Sequence, residues 1–175
     1  MALREQVHIE VNDETIAMGD PHAVIHPVWW TATIYDGPTA YERSLQRFST
    51  AQRQVFAVLW YIAEVENGGH LQFYSNSTGI VWQDALDGFE AIGIPKAARI
   101  LSISADRMGG SPSLDRQERK DQLEQLEADF DDCDEAFYAL EERVDLMAAI
   151  MNFVRSQATD FYFSGTIERV VLPRH

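Results

Sequence analysis

Apolar residues recur at alternating steps of three and four through Leu123, Leu126, Phe130, Cys133, Phe137, Leu140, Val144, Met147, Met151 and Val154. That is the spacing of one apolar side of a helix. The pattern predicts helix from Asp115 to about Glu142 and onward to Ser156, as one long element or two end to end. The aspartates between 129 and 134 favour a break, since Asp suits helix starts better than interiors. Upstream, a Ser49-x-x-Gln52 capping box opens a longer helix. Its residues Val55, Phe56, Val58, Leu59, Trp60, Ile62 and Val65 leave little polar surface, so it is expected to be the central helix. Asn67-Gly68-Gly69 stops it by left-handed capping, and a compact turn through His70–Asn76 follows. A helix near Ile80–Ile92 comes next, with Ser77 or Thr78 capping its start and Gly93 its end. Pro95 then stands at the first position of a helix running from Lys96 to Met108 and closed by Gly109-Gly110.

The first 40 residues are less regular. Pro21, Pro27 and Pro38 punctuate them, and Val7–Val11 and Val28–Tyr35 are β-favouring runs with room for a short hairpin. A short helical segment runs from Thr39 to Phe48. The fold class is therefore mainly α, and 175 residues with 46% hydrophobic content suffice for one well-buried core. Gly109-Gly110-Ser111-Pro112-Ser113 reads as a linker, and no internal repeat or low-complexity tract is present.

Charge changes the picture most around the seam. From Asp121 to Glu142 stand ten carboxylates and no lysine, arginine or histidine. If helical throughout, this stretch spans ~33 Å at 1.5 Å per residue, or one charge per ~3.3 Å, close to the phosphate spacing along one DNA strand. Charged faces commonly interleave signs, because like charges at i,i+4 are mutually unfavourable. Here Glu124, Glu127, Asp131, Asp134 and Glu141 fall in a stripe beside the seam, and Asp121, Asp132, Glu135 and Glu142 add to it. The stretch from Gln54 to Pro95 also lacks lysine and arginine and contributes Glu64, Glu66, Asp84, Asp87 and Glu90. A formal charge of −14 and a pI near 4.6 argue against direct binding to nucleic acid or to an anionic membrane, and point to basic partners. Cys133, the lone cysteine, sits on the seam and reads as a small buried hydrophobe. With no signal-peptide pattern and no apolar run long enough for a membrane span, the protein is expected to be soluble and cytoplasmic.

Catalytic and metal-binding chemistry finds little support. His22 and His26 are four apart, but Pro21 and Pro27 bracket them. The Asp129–Asp134 run lacks the glycine of a calcium loop and passes through the seam. No phosphate-cradling loop or nucleophile elbow is present, so neither enzyme activity nor a cofactor is expected. The string from Tyr61 to Gly79 is the most distinctive in the chain. Its polar residues Asn67, His70, Gln72 and Asn76 are expected to hydrogen-bond orphan backbone groups at the two helix ends. The alternative is a ligand pocket built from Glu64, Asn67, His70 and Asn76.

That string, with Glu64, Asn67, Gly68, Gly69, His70, Phe73, Asn76 and Gly79 as its signature, closely resembles a bacterial domain-of-unknown-function family that includes a DNA-mimic protein. Further matches follow in order: Trp82-Gln83-Asp84-Ala85, Phe89 to Gly93, Ala97 to Leu101, Phe130 to Tyr138 and Asp160-Phe161. The resemblance covers about residues 40 to 162. It divides the chain into an irregular N-terminal segment, 1–38, packed on the core; a helical domain, 39–162; and a C-terminal tail, 163–175. It implies an all-helical domain and, as in the family's DNA-mimic member, a homodimer whose negative surface occupies the DNA-binding face of a helix-turn-helix regulator. Two other readings use the same residues: an immunity-type inhibitor of a basic nuclease toxin, and a small-ligand binder or enzyme built on 64–79. Trp29, Trp30 and Tyr35 lie outside the matched region, and either cover the core or make a dimer contact.

Overall fold

The computed structural model describes residues 3–171. At its centre lies α5, Thr50–Ser75, whose start is fixed by the expected box: Gln52 N–H donates to Ser49 Oγ at 3.1 Å, and Ser49 N–H to Gln52 Oε1 at 2.9 Å. Val55, Phe56, Val58, Leu59, Tyr61, Ile62 and Val65 are all buried. Around α5 pack α6 (Trp82–Ile92), α7 (Pro95–Arg107), α8 (Arg116–Leu126), α9 (Asp131–Glu141) and α10 (Leu146–Ser156). Gly93 closes α6 in the left-handed conformation and Pro95 opens α7, as the proline-in, glycine-out spacing requires. The protein is mainly α. No helix among the described residues is long and apolar enough to cross a membrane.

The stop at Gly68-Gly69 is real, but the turn expected after it is not. Both glycines leave helical geometry, Gly69 at φ +71°, and the chain resumes helix through His70 to Ser75. A 3-10 turn, Ser77–Val81, then leads into α6. Neither Ser77 nor Thr78 makes a side-chain cap there.

The apolar seam is carried by three helices in place of one or two. Glu127 adopts φ 46° at the end of α8, and Asp145 caps α10 by accepting from the Ala148 N–H at 2.9 Å. Phe130, Cys133, Phe137, Leu140, Met151 and Val154 are buried along it, while Leu126 is exposed. The continuous 33 Å rod is thereby corrected: the carboxylates sit on two helices of 11 residues each and on the turns that follow them.

The N-terminal segment is more ordered than its prolines suggest. It holds β1 (Leu3–Val11), α1 (Asp13–Ala17), α2 (Pro21–Val24), α3 (His26–Thr31) and α4 (Pro38–Leu45). The run Val28–Tyr35 is not a strand, since Val28 to Thr31 belong to α3. There Trp29 stacks on Trp60 of α5 with ring centroids 4.4 Å apart, and this burial outweighs a propensity worth at most ~1 kcal/mol. Trp29 thus covers the core, while Tyr35 is exposed. Strand β1 does form over Val7–Val11, but its partner is β2, Phe163–Val171, which follows the short helix α11 (Ala158–Phe161). The two strands run antiparallel with Val11 opposite Phe163 and Val7 opposite Ile167, so the expected C-terminal tail is a paired strand through Val171.

Candidate functional site

The signature string forms a polar clamp around the kink in α5. Glu64, buried in the first half of the helix, accepts from Gln72 Nε2 at 2.7 Å, Asn76 Nδ2 at 3.0 Å and Thr78 Oγ1 at 2.9 Å. Three donors from beyond the kink therefore hold one carboxylate, which satisfies a buried charge without a cation. On the other side of the kink, Asp134 of α9 accepts from the His70 N–H at 2.8 Å and from His70 Nδ1. His70 Nε2 lies 2.6 Å from the Tyr61 hydroxyl. Burial pushes the His70 pKa below its ordinary value, against the pull of Asp134, and burial raises that of Tyr61. The neutral imidazole thus donates to Asp134 and accepts from Tyr61, fixing one tautomer. Phe73 packs edge-on to the Tyr61 ring beside this chain.

The expectation that Asn67, His70, Gln72 and Asn76 would bond backbone groups at the helix ends is corrected: Asn67 is exposed and makes no side-chain hydrogen bond among the described residues, and the other three turn elsewhere. Gln72 and Asn76 serve Glu64, and the His70 ring serves Tyr61 and Asp134. The ligand-pocket alternative gains nothing from this geometry, because Glu64 and Asn76 bond each other, the His70 ring is taken up by Tyr61 and Asp134, and Asn67 is exposed.

The sequence reading missed Arg119. This residue of α8 is fully buried and has no carboxylate partner; its guanidinium donates to the carbonyls of Tyr74 at 2.8 Å, Asn76 at 2.7 Å and Ser113 at 2.6 Å. Burial pulls its pKa down to about 10. The carbonyls at the end of α5 supply the negative end of that helix, where a cation is favoured. Gly79 is the matching small residue, for a Cβ there would stand 2.5 Å from Arg119 Nε and 2.8 Å from the Phe73 carbonyl. No local pattern marked an arginine in so polar a helix as the buried one.

The acidic residues separate into two groups. Asp132, Asp134 and Glu141 are engaged within the protein. Asp132 forms a two-armed pair with Arg107, Asp134 holds His70, and Glu141 is half-buried against Glu66. Burial, with the hydrogen bond and repulsion from Glu66, pushes Glu141 up to about 7. The others, Asp121, Glu124, Glu127, Asp129, Asp131, Glu135 and Glu142, are exposed and take part in no ion pair among the described residues. Beside Asp121 and Glu124 a shallow groove is lined by Leu71, Ser75, Lys120 and Leu123. Leu71 is 55% exposed there, an apolar anchor amid carboxylates. Among the described residues no group of three or more His, Cys, Asp or Glu side chains is placed to hold a metal ion. His22 lies beside Asp20, and His26 accepts from the Trp30 indole.

Two comparisons with known proteins return nothing: no curated protein and no solved structure matches the chain. A family model does match, over residues 46–157, and its description is DMP19-like protein.

Proposed function

Since this chain belongs to the DMP19-like family, a family of DNA mimics, we propose that it is a non-enzymatic acidic module that competes with DNA for the basic surface of a DNA-binding protein, a helix-turn-helix regulator being the best fit. One observation carries the reading. Seven exposed carboxylates on α8, α9 and their following turns form no ion pair within 4 Å among the described residues. Such groups match the lysines and arginines that otherwise contact phosphates, so they steer a basic partner in and block DNA. Because α8 and α9 are short and a left-handed Glu127 breaks the helical run between them, the mimicry uses two charged patches in place of a straight phosphate row. Leu71, in the groove beside α8, supplies apolar contact that DNA lacks. The resemblance adds a homodimer, which sedimentation velocity would measure.

The test compares the protein with a variant carrying Asp121→Asn, Glu124→Gln, Glu127→Gln, Asp131→Asn, Glu135→Gln and Glu142→Gln as bait in native lysate. The expected result is a basic DNA-binding protein held by the original surface, released by salt or by duplex DNA, and not held by the variant. Equal capture by both baits would sink the reading. Capture of a nuclease in place of a regulator would shift it to the inhibitor alternative.

A further inference from the structure

The face between α7 and α9 has the opposite character to the acidic patches. Lys96, Arg99, Ile100 and Ile103 stand on α7 at i, i+3, i+4 and i+7, and Ala136, Ala139, Leu140 and Arg143 repeat the spacing along α9 and its last turn. The two stripes line one open groove of about 340 Å³ with an apolar floor and cations at its edges. Ile103 is 38% exposed, and Ala136 and Ala139 are exposed as well, so no element of the described chain covers the floor. The charges are as informative as the floor. The chain has 28 acidic residues against 14 lysines and arginines. Even so, none of the ion pairs within 4 Å among the described residues involves Lys96, Arg99 or Arg143. In a molecule with twice as many acids as bases, three cations outside any such pair around one apolar groove are opposite to its overall charge, although Arg143 also borders a cleft lined by Glu66, Glu141, Glu142 and Asp145.

We propose that this groove docks an acidic amphipathic helix from another protein, its apolar residues on Ile100, Ile103, Ala136, Ala139 and Leu140 and its carboxylates on Lys96, Arg99 and Arg143. Two neighbouring i, i+3, i+4, i+7 walls make the trough into which a third helix lays an apolar face, and the rim cations select the sign of the flanking charges. The excess negative charge of the rest of the molecule opposes the approach of any acidic partner, so the local complementarity sets specificity. This surface does not depend on DNA mimicry: it binds the opposite charge, on different residues.

The probe is a fluorescein-labelled synthetic helix about four turns long, with leucine at i, i+3, i+4 and i+7 and glutamate on both flanks of that stripe. A second probe replaces every glutamate with lysine. Fluorescence anisotropy is expected to show saturable binding of the glutamate peptide and at least about tenfold weaker binding to Arg99→Glu with Arg143→Glu. Both substitutions lie at exposed positions, and an unchanged melting temperature would verify folding. A milder variant, Ile103→Ser, is expected to weaken the same peptide while leaving its charge preference intact. The proposal is overturned if the glutamate peptide does not saturate, if the double reversal leaves its affinity unchanged, or if the lysine peptide is preferred. It is also overturned if the groove proves to be a self-association face, seen in sedimentation as a dimer that the double reversal dissociates while no peptide binds. The six-carboxylate variant, which leaves the groove intact, is expected to keep the peptide, so failure of this inference and failure of the mimicry reading are distinguishable.

Discussion

Asp134 and His70 stand 64 positions apart in sequence, yet one carboxylate oxygen of the aspartate accepts both the backbone N–H and the ring N–H of the histidine. The contact ties the restart of α5 to the first turn of α9, and it draws the fourth member of the expected acidic stripe inward. Removing the acceptor by Asp134→Ala leaves two donors unsatisfied in a buried setting. Chemical denaturation is expected to show a loss of about 2–4 kcal/mol, and Asp134→Asn, which keeps one acceptor oxygen, is expected to lose less.

Two titrations shape the dependence of stability on pH, with opposite signs. Glu141 holds its proton more tightly folded than unfolded, about 7 against an ordinary 4.5. Its contribution is therefore full below 4.5 and fades as pH rises toward 7. His70 is held neutral by burial, so the unfolded chain binds its proton more readily, and stability falls as pH drops below the ordinary 6.5. Melting temperatures measured across this range on Glu141→Gln are expected to lose the decline at the upper end. The fall on the acid side remains, since His70 is untouched. A profile identical to the original would mean that Glu66 and Glu141 do not share a proton.

Gly69 is held by its neighbours and by its backbone geometry, Gly79 by its neighbours alone. Gly69 has φ +71° and a Cβ there would meet Asp134 Oδ2 at 2.3 Å, while one at Gly79 would meet both Arg119 and the Phe73 carbonyl. Alanine at either site is expected to destabilise by about 1–3 kcal/mol, through the strained left-handed backbone at Gly69 and through overpacking at Gly79. Combining Gly79→Ala with a shortened residue 119 should cost less than the sum of the two, since one of the two clash partners is gone and only the Phe73 carbonyl remains. Denaturation midpoints of the four proteins in that cycle test this.

Arg107 shields Asp132 at the surface. Arg107→Ala is expected to leave the melting temperature nearly unchanged, because exposed pairs contribute little. It frees one more carboxylate beside Asp131 and Glu135. A basic partner captured by the acidic patches should then bind more tightly and with a steeper dependence on salt. Weaker binding to that variant would place the contact elsewhere.

What could be read from the chain was mostly local. The Ser49-Gln52 box, the left-handed Gly93 and Pro95 fixed helix ends by contacts within a few residues, and each stands where the spacing put it. The Gly68-Gly69 break was visible for the same reason. What happens after it was not, because the resumed helix depends on Glu64 and Asp134, each reaching across a boundary. Val28–Tyr35 misled because β-branched and aromatic residues also suit a helix whose Trp29 has Trp60 to lie against. The pairing of Leu3–Val11 with Phe163–Val171 joins residues about 160 apart, for which no periodicity gives a sign. Among the acidic residues, period three-and-four correctly set Cys133 and Phe137 inward. It could not tell which carboxylates would find Arg107, His70 or Glu66 waiting in space.

The concealed guanidinium of Arg119 fastens α8 by three main-chain oxygens, none of which depends on what the exposed side chains are. Anchorage and lettering of the outer face are thus separate inheritances. The visible acids of α8 can change while the strut beneath them stays where it is, and a scan confined to accessible positions would overlook the residue that keeps that helix in register.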